Sequence, residues 1–287
     1  MLEKDAPQWL LTLGSLKADI PFFNISLDLK APFPIIATYG SILLYIILVK
    51  FVMPLCRPSP KTIDKISYYH FSAICAYSVL VFLAISYHMA VNGEFTSFTA
   101  FLCNPVPGWL RLVSISFTLS KMWEWLDTAI MIWKGQSLKK IGFLHLYHHA
   151  TTFFLFMCIM TMPGTEKSGM LLNGFVHSLM YYHFAFRLPK YFRPIITIAQ
   201  ILQLASSSIL WENIRTTCPA YHNFWDEYPY EYLIPYTTVP VYLIFFIRFF
   251  IQTYIMPAPA TPKLAGSAAK ALEHGTAQSP AKSKKAD

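Results

Sequence analysis

The chain has 287 residues, 55% of them hydrophobic and 16% aromatic, and only 13% charged, against about 25% charged in a soluble domain. That balance excludes an ordinary soluble fold and points to a polytopic membrane protein. The net charge of +8 reads as loops facing anionic lipid or an anionic substrate, with no need for a nucleic-acid partner.

Residues 1–33 carry charges and prolines without a clean apolar core, so they are expected to be retained and not cleaved as a signal peptide. A helical crossing takes about 20 residues, which leaves room for about seven, near 34–53, 66–91, 109–133, 143–162, 169–187, 194–212 and 232–256. Helix breakers lie between them: Pro54 to Lys61, Asn92-Gly93, Asn104 to Gly108, Lys134-Gly135, Pro163-Gly164, Leu188-Pro189 and Cys218-Pro219. From residue 257 onward, alanine, proline, lysine and serine follow without periodicity, so a disordered tail is expected. The organisation is then an N-terminal segment over 1–33, a helical membrane domain over 34–256, and a tail over 257–287.

Alternate loops differ in basic residues. One side holds Arg57, Lys61, Lys65, Lys134, Lys139, Lys140, Arg187, Lys190, Arg193 and the tail lysines 263, 270, 282, 284 and 285; the other holds Lys4, Lys17, Lys30, Lys167 and Arg215. By the positive-inside rule the first side is cytosolic, which places the C-terminus in the cytosol and the N-terminus in the lumen. Asn24-Ile25-Ser26, the single glycosylation sequon, then falls on the lumenal side. Lys284 and Lys285 stand fourth and third from the end, the pattern of a cytosolic dilysine retrieval signal, so the endoplasmic reticulum is the expected membrane. Of five cysteines only Cys103 and Cys218 fall in lumenal loops, and an oxidising lumen makes them the one plausible disulfide pair.

Ionisable and polar residues interrupt four consecutive helices. The third carries Lys121, Glu124, Asp127 and Thr128 along one stripe; an internal ion pair that fixes packing would account for it as well as a functional site would. The fourth opens with His145, His148 and His149, spaced i, i+3 and i+4, so the three imidazoles are expected on one face. The fifth carries Asn173, His177, Met180 and Tyr181, with His183 beyond, and the sixth Thr197, Gln200 and Gln203; an interhelical hydrogen bond alone would explain the glutamines. Polar groups at bilayer depth are costly, so four such stripes read as the walls of one polar chamber.

These four blocks, in this order, resemble the signature blocks of the very-long-chain fatty acid elongase (ELO) family, over residues 30–256 and in the dilysine ending. One departure stands out: where the family commonly continues Met-Tyr-x-Tyr-Tyr, this chain reads Met180-Tyr181-Tyr182-His183-Phe184. The resemblance implies an all-α, polytopic integral membrane protein whose chamber opens into an acyl tunnel. It also implies a 3-ketoacyl-CoA synthase of the endoplasmic reticulum that condenses acyl-CoA with malonyl-CoA. Both are substrates, so neither a cofactor nor a metal is expected. The ketoreductase, dehydratase and enoyl reductase of the elongation cycle are the implied partners, and a homodimer is allowed.

No cysteine lies near the histidines, so an imidazole has to be considered as the covalent nucleophile. The resemblance implies an acyl-imidazole intermediate with His148 and His177 at the acyl carbon; His148 is taken as the nucleophile. His145, His149 and Asn173 would orient rings and move protons. Lys121, or Gln200 or Gln203, would hold the malonyl carboxylate or the developing enolate; Glu124, Asp127 and Tyr181 complete the substrate-facing set. CoA phosphates would meet the basic loops, the acyl tail would run toward the lumen near Phe154 to Cys158 and Ser206 to Leu210, and saturated or monounsaturated chains are favoured. Two rival readings are a di-iron desaturase or hydroxylase and a seven-helix transporter with a histidine proton relay. The first uses around eight histidines in several boxes, whereas here His70, His88, His222 and His274 read as scattered.

Overall fold

A backbone that leaves water must satisfy its amides internally, and a helix does so without a partner strand. The computed structural model describes residues 17–20, 25–28, 33–104, 106–160, 164–219 and 229–256. Asn24, the tail lysines, His222 and His274 lie outside the described residues. Two short strands, β1 (Lys17–Ile20) and β2 (Ile25–Asp28), pair antiparallel with Lys17 opposite Asp28. This ribbon precedes a fold that is otherwise helical, as expected; both strands alternate polar with apolar residues at the period of two that suits a strand.

The helices are α1 (Phe33–Ile47), α2 (Pro60–Val91), α3 (Phe98–Cys103), α4 (Gly108–Trp123), α5 (Trp125–Trp133), α6 (Leu138–Ile141), α7 (Phe143–Met160), α8 (Glu166–Phe186), α9 (Phe192–Thr217) and α10 (Pro229–Phe250). Among the described residues four stretches are long and apolar enough to cross a membrane: Pro60–Val91, Phe143–Met160, Phe192–Thr217 and Tyr232–Ile255. All seven expected stretches are helical, with shifted ends. Helix α2 starts six residues before the expected 66, because Pro60 at its first position needs no N–H partner and Ser59 caps Thr62 N–H at 3.3 Å. The expected third helix is two, α4 and α5, broken at Glu124. The residues after Phe250 form a separate unit, whose described part is a π-helical turn, Ile251–Ile255, closed by Met256 N–H on the Ile251 carbonyl at 2.7 Å.

Within the first unit, α2 packs along α8, α8 against α9, α9 along α10, and α10, α1 and α4 all lie against α7. Gly174 permits the close approach of α8 to α2, since a methyl there would meet the Ser78 carbonyl at 3.3 Å.

One end of the bundle is held by buried charge. Lys167 Nζ donates to Glu94 at 2.5 Å with His88 Nε2 at 3.3 Å from the same carboxylate, and Arg111 Nη1 donates to Glu166 at 2.9 Å. Lys167 is therefore not a free loop charge: it sits in the first turn of α8 and is fully buried. A disulfide joins Cys103 at the end of α3 to Cys218 at the end of α9, 115 residues apart.

Gly164 leads into this corner with φ +99°, and a Cβ there would lie 2.7 Å from the Asn104 carbonyl oxygen. Gly135 also has a positive φ, +79°, yet its Cβ would meet nothing within 4 Å. Gly135→Ala should cost only the left-handed backbone term, about 1–2 kcal/mol, and Gly164→Ala clearly more, because the carbonyl must also move. Thermal unfolding of both variants in one detergent checks this; equal losses would mean that the Asn104 contact carries no weight.

Candidate active site

The break at Glu124 organises the site. Its N–H bonds the Ser120 carbonyl at 2.9 Å and its own carbonyl accepts Asp127 N–H at 3.0 Å, an i+3 turn between α4 and α5. Trp125 fixes that turn to α7 by donating its indole N–H to the His149 carbonyl at 2.8 Å.

Lys121, on the last turn of α4, is 1% exposed. Its ammonium donates to Glu124 Oε1 at 2.6 Å and to Asn173 Oδ1 of α8 at 2.9 Å, and it stands over the rings of Phe117 and Phe156 at 4.2 and 5.2 Å from their centroids. A buried ammonium needs this enclosure, since its desolvation is offset only by a close counter-charge and further acceptors. His177 Nδ1 approaches Glu124 Oε1 at 3.4 Å. Lys121, Glu124, Asn173 and His177 thus form one cluster across α4 and α8.

Helix α7 does not turn its three histidines the same way. Successive residues on a helix diverge by about 100°, so His148 and His149 cannot face one object, although i, i+3 and i+4 share a broad side. His145 Nε2 lies 2.9 Å from Thr128 Oγ1, which also meets Tyr45 OH at 2.9 Å. His149 stacks near His145 at 4.2 Å between centroids, and His148 packs on Tyr242 of α10 at 4.9 Å.

His148 and His177 both line a cleft of about 670 Å³, its open mouth included. Lys121, Asn173 and Gln203 line it with them, and Leu155, Phe156, Ile159, Leu204 and Val239 supply apolar wall. Ser168 and Gly169 at the start of α8 and Trp211 in the last turns of α9 bound its far part. Phe154 is buried, but its neighbours Leu155 and Phe156 are the residues that face the cleft. Gln200 donates to Met180 Sδ at 3.4 Å and leaves the cleft to Gln203. Among the described residues no cysteine lines the cleft, and no three of His, Cys, Asp and Glu are grouped so as to hold a metal ion.

Asp127 and Tyr181 stand behind this wall. Tyr181 OH donates to Asp127 Oδ2 at 2.8 Å, and His70 Nε2 lies 2.5 Å from Oδ1. His70 and His88 are therefore not scattered: one pairs with Asp127, the other with Glu94. The signal was present in the sequence. Both histidines fall on the three- and four-residue stripe of α2 that runs Ser67, His70, Ile74, Ser78, Val81, Ile85 and His88, all buried. Tyr242 had no such signal, since α10 is aromatic on every side.

The chain matches the family described as ELO, GNS1/SUR4, over residues 29–262. It is 27% identical over 249 residues to fatty acid elongase A of Dictyostelium discoideum, covering 82% of this chain and 85% of that protein. It is 29% identical over 168 residues to very long chain fatty acid elongase 2 of Rattus norvegicus, covering 55% and 57% of the two chains. To fatty acid elongase 3 of Trypanosoma cruzi it is 35% identical over 112 residues, 36% of each.

The two partners of Lys121 should weigh differently. Glu124→Gln strands a buried ammonium and is expected to cost about 3–5 kcal/mol, whereas Asn173→Leu removes one neutral acceptor and should cost about 1–3 kcal/mol. Denaturation of both variants in the same detergent checks the order; a larger loss in Asn173→Leu would show that the amide, not the carboxylate, anchors Lys121.

Proposed function

The chain belongs to the GNS1/SUR4 (ELO) family, and from that premise we propose that this membrane protein of fatty acid elongation condenses long-chain acyl-CoA with malonyl-CoA to give 3-ketoacyl-CoA, CoA and CO2. The observation that carries the reading is that two imidazoles, His148 and His177, share a cleft with a buried ammonium and, among the described residues, with no thiol. Nitrogen is then the available nucleophile.

In the proposed sequence, an imidazole nitrogen of His148 attacks the thioester carbon. The C–S bond breaks, the CoA thiolate leaves and takes up the imidazole proton, and the acyl group stays on His148. Malonyl-CoA next loses CO2, and the electron pair of the broken C–C bond forms the enolate that attacks the acyl carbon. The C–N bond breaks, and the leaving imidazolate takes up a proton from water, which regenerates neutral His148 and balances the loss of CO2 from a carboxylate. Lys121 and Gln203 face the space where carboxylate or enolate charge would lie, beside the apolar wall of the cleft. His177 stands at the acyl carbon, with Glu124 beside it. His145, His149 and Asn173 orient the rings.

All seven helical stretches cross the membrane in this reading, α4 and α5 together making one crossing. The basic residues Lys134, Lys139, Lys140, Arg187, Lys190 and Arg193, all exposed, face the cytosol of the endoplasmic reticulum and the phosphates of CoA. The N-terminus is lumenal and the C-terminus cytosolic. The reductases and dehydratase of the cycle receive the product.

His148→Ala and His177→Ala should each abolish malonyl-CoA-dependent product while the protein still reaches the membrane. Acyl-CoA alone should release CoA from the wild type and add one acyl mass to the intact protein. Turnover without an acyl-enzyme would remove the covalent step, and no malonyl-CoA-dependent product at all would leave the transporter reading standing.

The cleft also sets a length. Each buried methylene contributes about 0.8 kcal/mol until the wall is met, after which overpacking reverses the gain. Ile159→Ala should therefore shift products to longer chains. Gly169→Val should shorten them, because a Cβ there lies 3.8 Å from the Phe156 ring and further methyls enter the cleft. An unchanged product profile in both variants would place the acyl chain elsewhere.

A further inference from the structure

His70 belongs to none of the four blocks that carry the family resemblance, and it does not line the cleft. Yet it is 5% exposed, lies on α2 and reaches across to α5 with its Nε2 2.5 Å from Asp127 Oδ1. A carboxylate oxygen accepts, so the imidazole takes the donor's part in this contact. The other oxygen of Asp127 accepts the Tyr181 hydroxyl at 2.8 Å, and the Tyr181 ring packs edge-on against His177 at 5.5 Å between centroids. Three links therefore run from α2 through α5 to the imidazole in the cleft. The remaining nitrogen of His70, Nδ1, is buried without a partner. An orphaned buried polar atom costs about 1–3 kcal/mol, so packing alone is a poor reason to place histidine here.

We propose that His70 is a positioning residue of the reaction: it fixes Asp127, and through that carboxylate it seats Tyr181 against His177. The inference rests on the condensation proposed above. A ring displaced by an ångström at a reacting centre can cost about a hundredfold in rate without loss of substrate affinity. The donor on His70 is the part that matters, not its aromatic bulk.

The test uses the full-length protein in detergent or liposomes with acyl-CoA and malonyl-CoA. His70→Leu should lower kcat about tenfold to a hundredfold with KM for both substrates unchanged, and His70→Gln, which keeps a nitrogen donor at that reach, should recover most of the loss. Tyr181→Phe should lower kcat by a similar factor. The double variant His70→Leu with Tyr181→Phe should be no slower than the slower single one, since both cut one chain. A His70→Leu enzyme with wild-type kcat, a glutamine variant as slow as the leucine one, or losses that multiply would each overturn the proposal. Should His70→Leu fail to fold, Tyr181→Phe still decides, because normal kcat in that variant removes the link to His177. A wild-type protein that makes no malonyl-CoA-dependent product overturns the function itself, and the inference with it.

Discussion

The ammonium of Lys121 is the constraint around which the bundle is arranged. It is fully enclosed, and a charge so placed must find a counter-charge and acceptors within reach or it is lost to neutralisation. The chain meets that demand with Glu124 at the end of α4, three residues on, whose carboxylate stands 2.6 Å from Nζ. Asn173 and the rings of Phe117 and Phe156 complete the enclosure. One side chain thereby ties α4, α7 and α8 together, and the gap between these helices cannot close into hydrocarbon contact.

Around that gap the polar residues separate into two layers. Lys121, Asn173, His148, His177 and Gln203 face the cleft. Behind them, Thr128 joins Tyr45 to His145, and Asp127 joins His70 to Tyr181. The i+3 turn lets one short segment serve both: Glu124 meets the front layer and Asp127 the back. Such an arrangement suits reacting imidazoles, whose orientation depends on neighbours that are themselves held.

Much of this was legible in the sequence. The positions of the helical stretches follow from apolar runs and their breakers, and the family from four ordered blocks of polar residues. What could not be read was direction. A spacing of i, i+3 and i+4 brings His145, His148 and His149 to one broad side, but only the packing of α7 against α4, α10 and α1 decides that His148 alone meets the cleft. The histidines of α2 looked scattered because their partners, Asp127 and Glu94, lie 57 and 6 residues away on other elements. Lys167 looked like a loop charge for the same reason, although it is buried against Glu94 across 73 residues of sequence.

The two ends of the bundle are built on opposite principles. At one end the pairs Lys167 to Glu94 and Arg111 to Glu166, with the disulfide, fasten the starts of α4 and α8 to the ends of α2, α3 and α9. Separating any of those helices there would expose unpaired charge to a medium of low dielectric, a cost of several kcal/mol per ion. At the other end Lys134, Lys139, Lys140, Arg187, Lys190 and Arg193 are exposed, and none of them is held in an ion pair among the described residues. Helices can shift there without stranding a charge. In the proposed reaction a long substrate enters and a longer product leaves, and the basic end, where the anionic CoA would be held, is the end at which such a passage would strand no paired charge. The fastened end can then serve as a stop for the acyl chain, because the first turn of α8, which carries Ser168 and Gly169 into the cleft, is the turn that Glu166 and Lys167 pin.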